Sequence, residues 1–152
     1  MKQEDLSFEF HSPEVLFDTG EITLKPRFTE ILEDFFPRYL RVLLQFRESI
    51  NEVRIEGHTS SDWSAAASGD VAYFNNMELS QGRTRAVLEY VYRLDSVEAE
   101  RAWIKRHVAA VGFSSAHLVT TEDGEENRER SRRVSFRTIT NAETQIRKIL
   151  SP

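Results

Sequence analysis

Apolar residues recur at steps of three and four over positions 28 to 46, which is the period of one face of a helix. The stripe consists of Phe28, Ile31, Leu32, Phe35, Tyr39, Val42, Leu43 and Phe46. Pro26 suits the first turn of this helix. Pro37 falls inside the pattern, so a kink or a short break is expected there.

A second helical stripe lies further along the chain. We expect this helix to begin at Asn75, because Glu78 three residues later resembles a capping box. Its predicted buried side is formed by Leu79, Ala86, Val87, Tyr90, Val91 and Leu94. Residues 60 to 74, which precede this helix, are predicted to form a long loop. Residues 97 to 106 are amphipathic and predict one more helix.

Strands are predicted where short apolar runs or alternating patterns occur. In "NEVRIEG", Val53 and Ile55 alternate with charged residues, which indicates a strand with one buried face. Similar strands are expected over residues 107 to 113 and in "RVSFRTI" from Arg133, with a short one in "EVLFD" at 14 to 18. The polar residues 120 to 132 are expected to form a loop.

The order of these elements is β-α-β-α-(α)-β-β, followed by a short C-terminal helix at about 141 to 150. Such an order predicts an α/β fold, an α+β sandwich in which helices cover one face of a mixed sheet. The 152 residues, with 39% apolar content and 10 Phe, suit one domain over residues 1 to 152. Its core is expected at about 14 to 139.

Charge and composition exclude several classes of protein. A net charge of −5 disfavours a general binder of nucleic acid, and the basic "RERSRR" at 128 to 133 follows the acidic "EDGEE" at 122 to 126. An arginine–acid network is expected there instead, so we predict no nucleic-acid partner. The absence of cysteine removes disulfides and thiol nucleophiles.

Targeting signals are also missing from the sequence. No run approaches the roughly 20 apolar residues that span a bilayer. The acidic start "MKQEDLSFEF" lacks the apolar region of a signal peptide. We therefore expect a cytosolic protein or a soluble piece of a longer chain.

Catalysis is not expected from this sequence. Ser, His and Asp occur together in "HTSSD", but neighbours in sequence rarely form a triad, and no Gly-x-Ser-x-Gly elbow is present. The histidines at 11, 58, 107 and 117 show no metal-ligand spacing, so no metal or cofactor is predicted.

One small pocket is predicted from helical spacing. Asn76, Leu79 and Arg83 fall on one stripe of the second helix. Arg83 offers a planar fork for a carboxylate, and Asn76 is expected in the first turn, where free N–H groups favour anions. The alternative is structural: Arg83 covers the core and pairs with a surface acid, while Asn76 caps the helix.

Four ordered motifs resemble the OmpA-like peptidoglycan-binding domain shared by outer-membrane porin tails, Pal lipoproteins and MotB-type stator subunits. They are "FDTG…L" at 17 to 24, "IEGHTS" at 55 to 60, "NNMELSQGRTRAV" at 75 to 87 and "SRRVSF" at 131 to 136. The resemblance covers residues 14 to about 139. It implies a non-catalytic module that binds the meso-diaminopimelate of the cell-wall stem peptide.

The resemblance also implies a binding site. Arg83 would hold a diaminopimelate carboxylate, while Asn76 and Leu79 would shape the pocket. The residues assigned to peptidoglycan binding are Phe17, Asp18, Thr59, Ser60, Asp62, Asn76, Leu79, Arg83 and Arg132. Gly57 is expected to allow a tight turn, and His58 and Thr59 to brace the loop through backbone hydrogen bonds.

The sequence departs from the family pattern at several positions. The family tyrosine is Asn75, the alanine after the arginine is Thr84, and the asparagine before "RRV" is Ser131. Ser60 stands where the family has the aspartate that pairs with an ammonium. A neutral hydroxyl cannot replace that charge, so Asp62 or Asp70 is expected to supply it.

An alternative function is a protein-interaction or dimerisation module of a stator-like membrane complex, and a homodimer is one expected form. The Ser60 substitution and the closing helix favour this alternative. In either case the resemblance implies a periplasmic domain whose membrane anchor lies outside this chain. The long first helix and the "GHTSS" variant favour a MotB-like parent.

Overall fold

The computed structural model describes residues 7–11, 13–64, 67–142 and 149–150. The strands are β1 (Ser7–Phe10), β2 (Ile50–His58), β3 (Val108–Gly112) and β4 (Arg133–Thr140). The helices are α1 (Pro13–Leu16), α2 (Pro26–Gln45), α3 (Gly69–Tyr92), α4 (Arg101–His107) and α5 (Arg128–Ser131). Short 3₁₀ turns follow α2 at Arg47–Ser49 and precede α4 at Asp95–Glu100.

The four strands form one mixed sheet in the order β1-β4-β2-β3. β2 pairs in parallel with β3, while β4 pairs antiparallel with both β2 and β1. Ile55 lies opposite Phe136 on one side and Ala110 on the other. The predicted mixed α/β fold is therefore confirmed.

The core lies between the sheet and α2. Phe28, Leu32 and Phe36 of this helix are almost fully buried. Phe35 and Tyr39 stack at 5.1 Å between ring centroids and contact the ring of Phe136 on β4. Burial of such large rings is worth a few kcal/mol each, so α2 owes its stability mainly to this packing.

Helix α2 runs without interruption through Pro37, so the predicted short break is wrong. Proline removes one hydrogen bond from the helix. Phe36 and Leu40, on either side of it, are buried in the core and hold both halves in place.

Helix α3 crosses the sheet at two glycines. A Cβ on Gly57 would lie 2.8 Å from Cγ2 of Thr84 and 2.9 Å from the carbonyl oxygen of Ser80. A Cβ on Gly112 would lie 2.4 Å from the amide nitrogen of Gln81. Gly57 is inside β2, so it serves close packing of helix on strand rather than the tight turn that we expected.

The helix α3 begins earlier than predicted. It starts at Gly69, and the side chain of Ser68 caps it by accepting a hydrogen bond from the amide of Val71 at 3.2 Å. Asn75 is therefore inside the helix. Most of its buried positions also differ from the predicted apolar stripe; they are Ala72, Asn76, Ser80, Thr84, Val87 and Val91.

One further prediction fails at the start of the chain, and one strand there was not predicted. Residues 14 to 18 do not form a strand: Pro13–Leu16 is a helical turn, and Phe17 makes only an isolated bridge with Leu24. β1 was missed, although it forms an edge of the sheet against β4. The predicted closing helix falls largely on residues 143–148, which lie outside the described residues.

Candidate functional site

The chain between α1 and α2 folds into a tight turn beside the sheet. The amide of Glu21 donates to the carbonyl of Asp18 at 3.0 Å, and Gly20 between them has φ of 74°. This left-handed conformation suits glycine at the third position of a turn. As a result, the carbonyls of Asp18 and Glu21 are presented towards α3.

Arg83 of α3 binds this turn through hydrogen bonds. Its Nε donates to the Glu21 carbonyl at 2.8 Å and its Nη2 to the Asp18 carbonyl at 3.1 Å. The guanidinium also lies 4.6 Å from the centroid of the Phe17 ring. Within the described residues Nη1 has no hydrogen-bond partner. Arg83 therefore has a structural role and still keeps one donor group for a ligand.

The positive charge on Arg83 is destabilised by its surroundings. Burial, together with the nearby Arg132, lowers the pKa of Arg83 to about 10. The Nε atom of Arg132 is buried without a hydrogen-bond partner among the described residues. Two half-buried guanidiniums that repel one another favour an anion between or beside them.

The loop after β2 is held by Asn76. Its Nδ2 donates to the carbonyl of Asp62 at 2.9 Å and to that of Ser60 at 3.3 Å. The hydroxyl of Thr59 also donates to the Ser60 carbonyl, at 2.8 Å. Asn76 lies about two turns into α3, so the prediction that it occupies the first turn is wrong. Its role in the structure is to fix the loop.

The same loop is tied to the segment before β4. The amide and hydroxyl of Ser61 donate to the carboxylate of Glu126 at 2.8 and 2.6 Å. Burial acts to raise the pKa of Glu126, but the bonds from Ser61 and the nearby arginines outweigh it and lower the pKa. Asp62 pairs with Arg128 at 2.8 Å. The expected arginine–acid network is thus present in this region.

These elements enclose a cavity of about 370 Å³. All of the predicted site residues except Asp18 line it. The lining also includes residues that the sequence did not indicate, namely Glu14, Thr19, Gly20, Trp63 and Ser64. Trp63 is 46% exposed, which is high for a large aromatic side chain. Of these residues, only Trp63 had a signal in the sequence, as an isolated tryptophan in a polar loop.

Asp18 and Asp70 do not contribute side chains to the cavity. The carboxylate of Asp18 is 73% exposed and lies 3.5 Å from Nζ of Lys25. Asp70 is exposed in the first turn of α3. The proposal that Asp70 supplies the missing charge therefore finds no support in the geometry.

His58, the last residue of β2, does not line this cavity. Its ring stacks on Phe113 at 5.2 Å with an interplanar angle of 7°, and Nε2 lies 3.6 Å from a carboxylate oxygen of Glu56. Burial is the main cause of a lowered pKa of His58. The ring makes no backbone hydrogen bond among the described residues, so that part of the prediction is wrong, whereas Thr59 does brace the loop.

Ser131 replaces the family asparagine and is fully buried. Its hydroxyl accepts a hydrogen bond from the amide of Val119 at 2.9 Å. This contact fixes the segment before β4 and holds Arg132 at the cavity. The smaller residue thus still has a positioning role.

The fold and the cavity define a domain of known type. The chain belongs to the OmpA family, whose sequence profile matches residues 16–132. Domains of this family are non-catalytic binding modules, which confirms that this domain is not an enzyme.

One curated relative is similar over nearly the whole chain. The sequence is 56% identical over 148 residues to the Zorya protein ZorB of the Crooks strain of Escherichia coli. This match covers 97% of the chain and 63% of that protein. The chain therefore spans less than two thirds of the length of this relative.

Solved structures share the fold. A putative MotB-like protein from Desulfovibrio vulgaris is 25% identical with a TM-score of 0.59, over 89% of this chain and 75% of that one. The periplasmic domain of Helicobacter pylori MotB is 15% identical with a TM-score of 0.60, over 95% and 80%. The cell wall anchor of the type VI secretion system from Pseudomonas aeruginosa is 22% identical with a TM-score of 0.54, over 89% and 81%.

None of the described helices combines the length of a membrane span with a sufficiently apolar composition. Nor do the described residues contain a group of His, Asp and Glu side chains arranged to hold a metal ion.

Proposed function

We propose that this domain binds peptidoglycan through the diaminopimelate of the stem peptide. The ligand's side-chain carboxylate would bind Arg83 and Arg132, and the loop held by Asn76 would form the opposite wall. Leu79 and Phe17 would contact the methylene chain of the ligand.

One observation carries this proposal. Two guanidiniums face the same cavity, and both retain hydrogen-bonding capacity: Nη1 of Arg83 and the buried Nε of Arg132 have no partner among the described residues. An unpaired buried donor costs about 1–3 kcal/mol, so a carboxylate that satisfies it gains affinity. The volume of about 370 Å³ also lies at the small end of the range for small-molecule sites.

Co-sedimentation with purified sacculi tests the proposal. Arg83→Ala is expected to abolish binding. It should also reduce stability by about 1–3 kcal/mol, because two hydrogen bonds to the turn are lost. The assay is therefore run well below the melting temperature. Arg85→Ala is the matched control, since Arg85 is exposed on the same helix and does not line the cavity.

The parent protein is proposed on similarity alone. ZorB is the relative at 56% identity, and the structural neighbours include domains described as MotB or MotB-like. We propose that the chain is the periplasmic part of a MotB-like stator subunit, with the membrane anchor outside these residues. The neighbours do not support a location in the outer membrane.

A second candidate function, homodimerisation within a stator-like complex, is favoured by an apolar groove. This groove has a volume of about 620 Å³ and lies between α2 and the β1–β4 edge of the sheet. Val42 and Phe46 on its rim are 54% and 61% exposed. Exposed apolar surface of this kind is typical of interaction sites. Sedimentation velocity would show a dimer that Phe46→Glu dissociates.

A further inference from the structure

We infer that Glu14 of α1 supplies the negative charge that pairs with the ammonium group of the ligand. This inference rests on the proposed function, because it concerns the same cavity. It places the ammonium beside α1, whereas the family pattern places it beside the residue after Gly-His-Thr.

Ser60 cannot take that role. Its side chain carries no charge, and the residue is only 4% exposed. Its hydroxyl oxygen is contacted by the amide of Asp62 at 3.4 Å. The position that holds an aspartate in the family pattern therefore offers no counter-ion here.

Two nearby carboxylates already have cationic partners. Asp62 lines the cavity but forms an ion pair with Arg128 at 2.8 Å. Asp18 does not line the cavity, and its carboxylate lies 3.5 Å from Nζ of Lys25. An ammonium that approached either group would have to compete with a cation that is already in place.

Glu14 is the remaining acidic side chain in the cavity lining. It is exposed, and its carboxylate forms no ion pair with the described residues. Its backbone is well fixed: Nζ of Lys25 donates to the Glu14 carbonyl at 2.5 Å, and Leu16 and Phe17 just after it are 3% exposed. A free carboxylate on a fixed backbone is suited to pairing with a cationic group.

The resulting cavity carries charges of both signs. Arg83 and Arg132 provide the cationic side, and Glu14 provides the anionic side. A zwitterionic amino-acid end, with one carboxylate and one ammonium on the same carbon, matches this arrangement. A ligand with the carboxylate but no ammonium loses the contact with Glu14.

Calorimetry with two stem peptides tests the assignment. One peptide carries diaminopimelate with its free side-chain amine, and the other carries the same residue with that amine acetylated. Glu14→Gln is expected to weaken binding of the free-amine peptide by about twofold to fivefold, the range for a charged pair at an exposed site. Binding of the acetylated peptide should not change. Glu21→Gln is the matched control, because this exposed carboxylate in the turn after α1 lies outside the cavity lining.

The outcomes separate this inference from the proposed function. If Asp62→Asn weakens binding of the free-amine peptide while Glu14→Gln does not, the ammonium site is at Asp62 and the inference is overturned, but the function stands. If both variants bind like the native chain, Glu14 has no role. If the native chain binds neither peptide, or Arg83→Ala binds as well as the native chain, the proposed function fails and this inference fails with it.

Discussion

At the scale of single residues, Gly57 and Gly112 determine how closely α3 approaches the sheet. Gly57→Ala is expected to reduce the free energy of unfolding by about 1–3 kcal/mol, because its Cβ would overlap Thr84 and the Ser80 carbonyl. Gly112→Ala should cost more, since its Cβ would lie only 2.4 Å from the backbone amide nitrogen of Gln81. Gly69→Ala is the control: nothing lies within 4 Å of a Cβ there. Equal stability of all three variants in chemical denaturation would contradict this packing.

Ser60 offers a direct test of the family's charge pattern. Ser60→Asp places a carboxylate next to the cavity, and we expect it to tighten binding of the free-amine stem peptide by about 1–3 kcal/mol, the range for a charged hydrogen bond. Calorimetry measures the gain. The same substitution should restore affinity to Glu14→Gln. No gain in either background would contradict this expectation and would place the ammonium beside Glu14, out of reach of position 60.

His58 predicts a dependence of stability on pH. Burial lowers its pKa in the folded protein, whereas the unfolded chain has the ordinary value of about 6.5. As the pH falls below that value, the unfolded state takes up the proton first, so stability is lost towards acid. The adjacent Glu56 opposes this effect, and Arg133 and His117 reinforce it.

Melting curves at pH 7.5 and 5.5 measure the effect of His58. His58→Gln should show a smaller loss of melting temperature between the two values than the native chain does. An unchanged loss in His58→Gln would assign the acid sensitivity to other groups.

The site was predictable from sequence only where residues follow a motif. Arg83, Asn76 and Leu79 lie on one helical stripe, and the structure does bring them to one cavity. Glu14 was missed because its role depends on which carboxylates are already paired. The pairing of Asp62 with Arg128 joins residues far apart in sequence, and no local pattern predicts it.

At the scale of elements, α2 contains Pro37, and the packing of the residues on either side offsets the hydrogen bond that the proline removes. Pro37→Ala is expected to raise the free energy of unfolding by up to about 3 kcal/mol, because a hydrogen bond of the helix is restored. Chemical denaturation measures this change, with Arg41→Ala as a control at an exposed position of the same helix. A loss of stability in Pro37→Ala would indicate that the proline ring itself contributes to the packing.

The accuracy of element prediction followed the length of the pattern. The long stripe of α2 and the alternation in β2 and β4 were sufficient to predict those elements. β1 is only four residues long and its pairing with β4 is a non-local contact, so the sequence gives little sign of it. The start of α3 was missed because its first turn, with Gly69 and Asp70, resembles a loop.

At the scale of the whole molecule, the sheet and α3 bring three separate segments together. The turn at Phe17, the loop after β2 and the segment before β4 all contribute to the cavity wall. The family resemblance predicted this convergence, because its motifs occur in the same order. The apolar groove beside α2 was not predicted. Its lining combines residues of α2 with others that are far from α2 in the sequence, such as Phe8 and Thr138.

The central claim is that the cavity recognises diaminopimelate, and its carboxylate provides the most direct test. Calorimetry compares stem peptides that carry either meso-diaminopimelate or lysine, which has the ammonium but lacks the side-chain carboxylate. The account predicts binding of the diaminopimelate peptide and at least about tenfold weaker binding of the lysine peptide, the loss expected when Arg83 and Arg132 have no anion to contact. Equal affinity for the two peptides, or binding of neither, would contradict it.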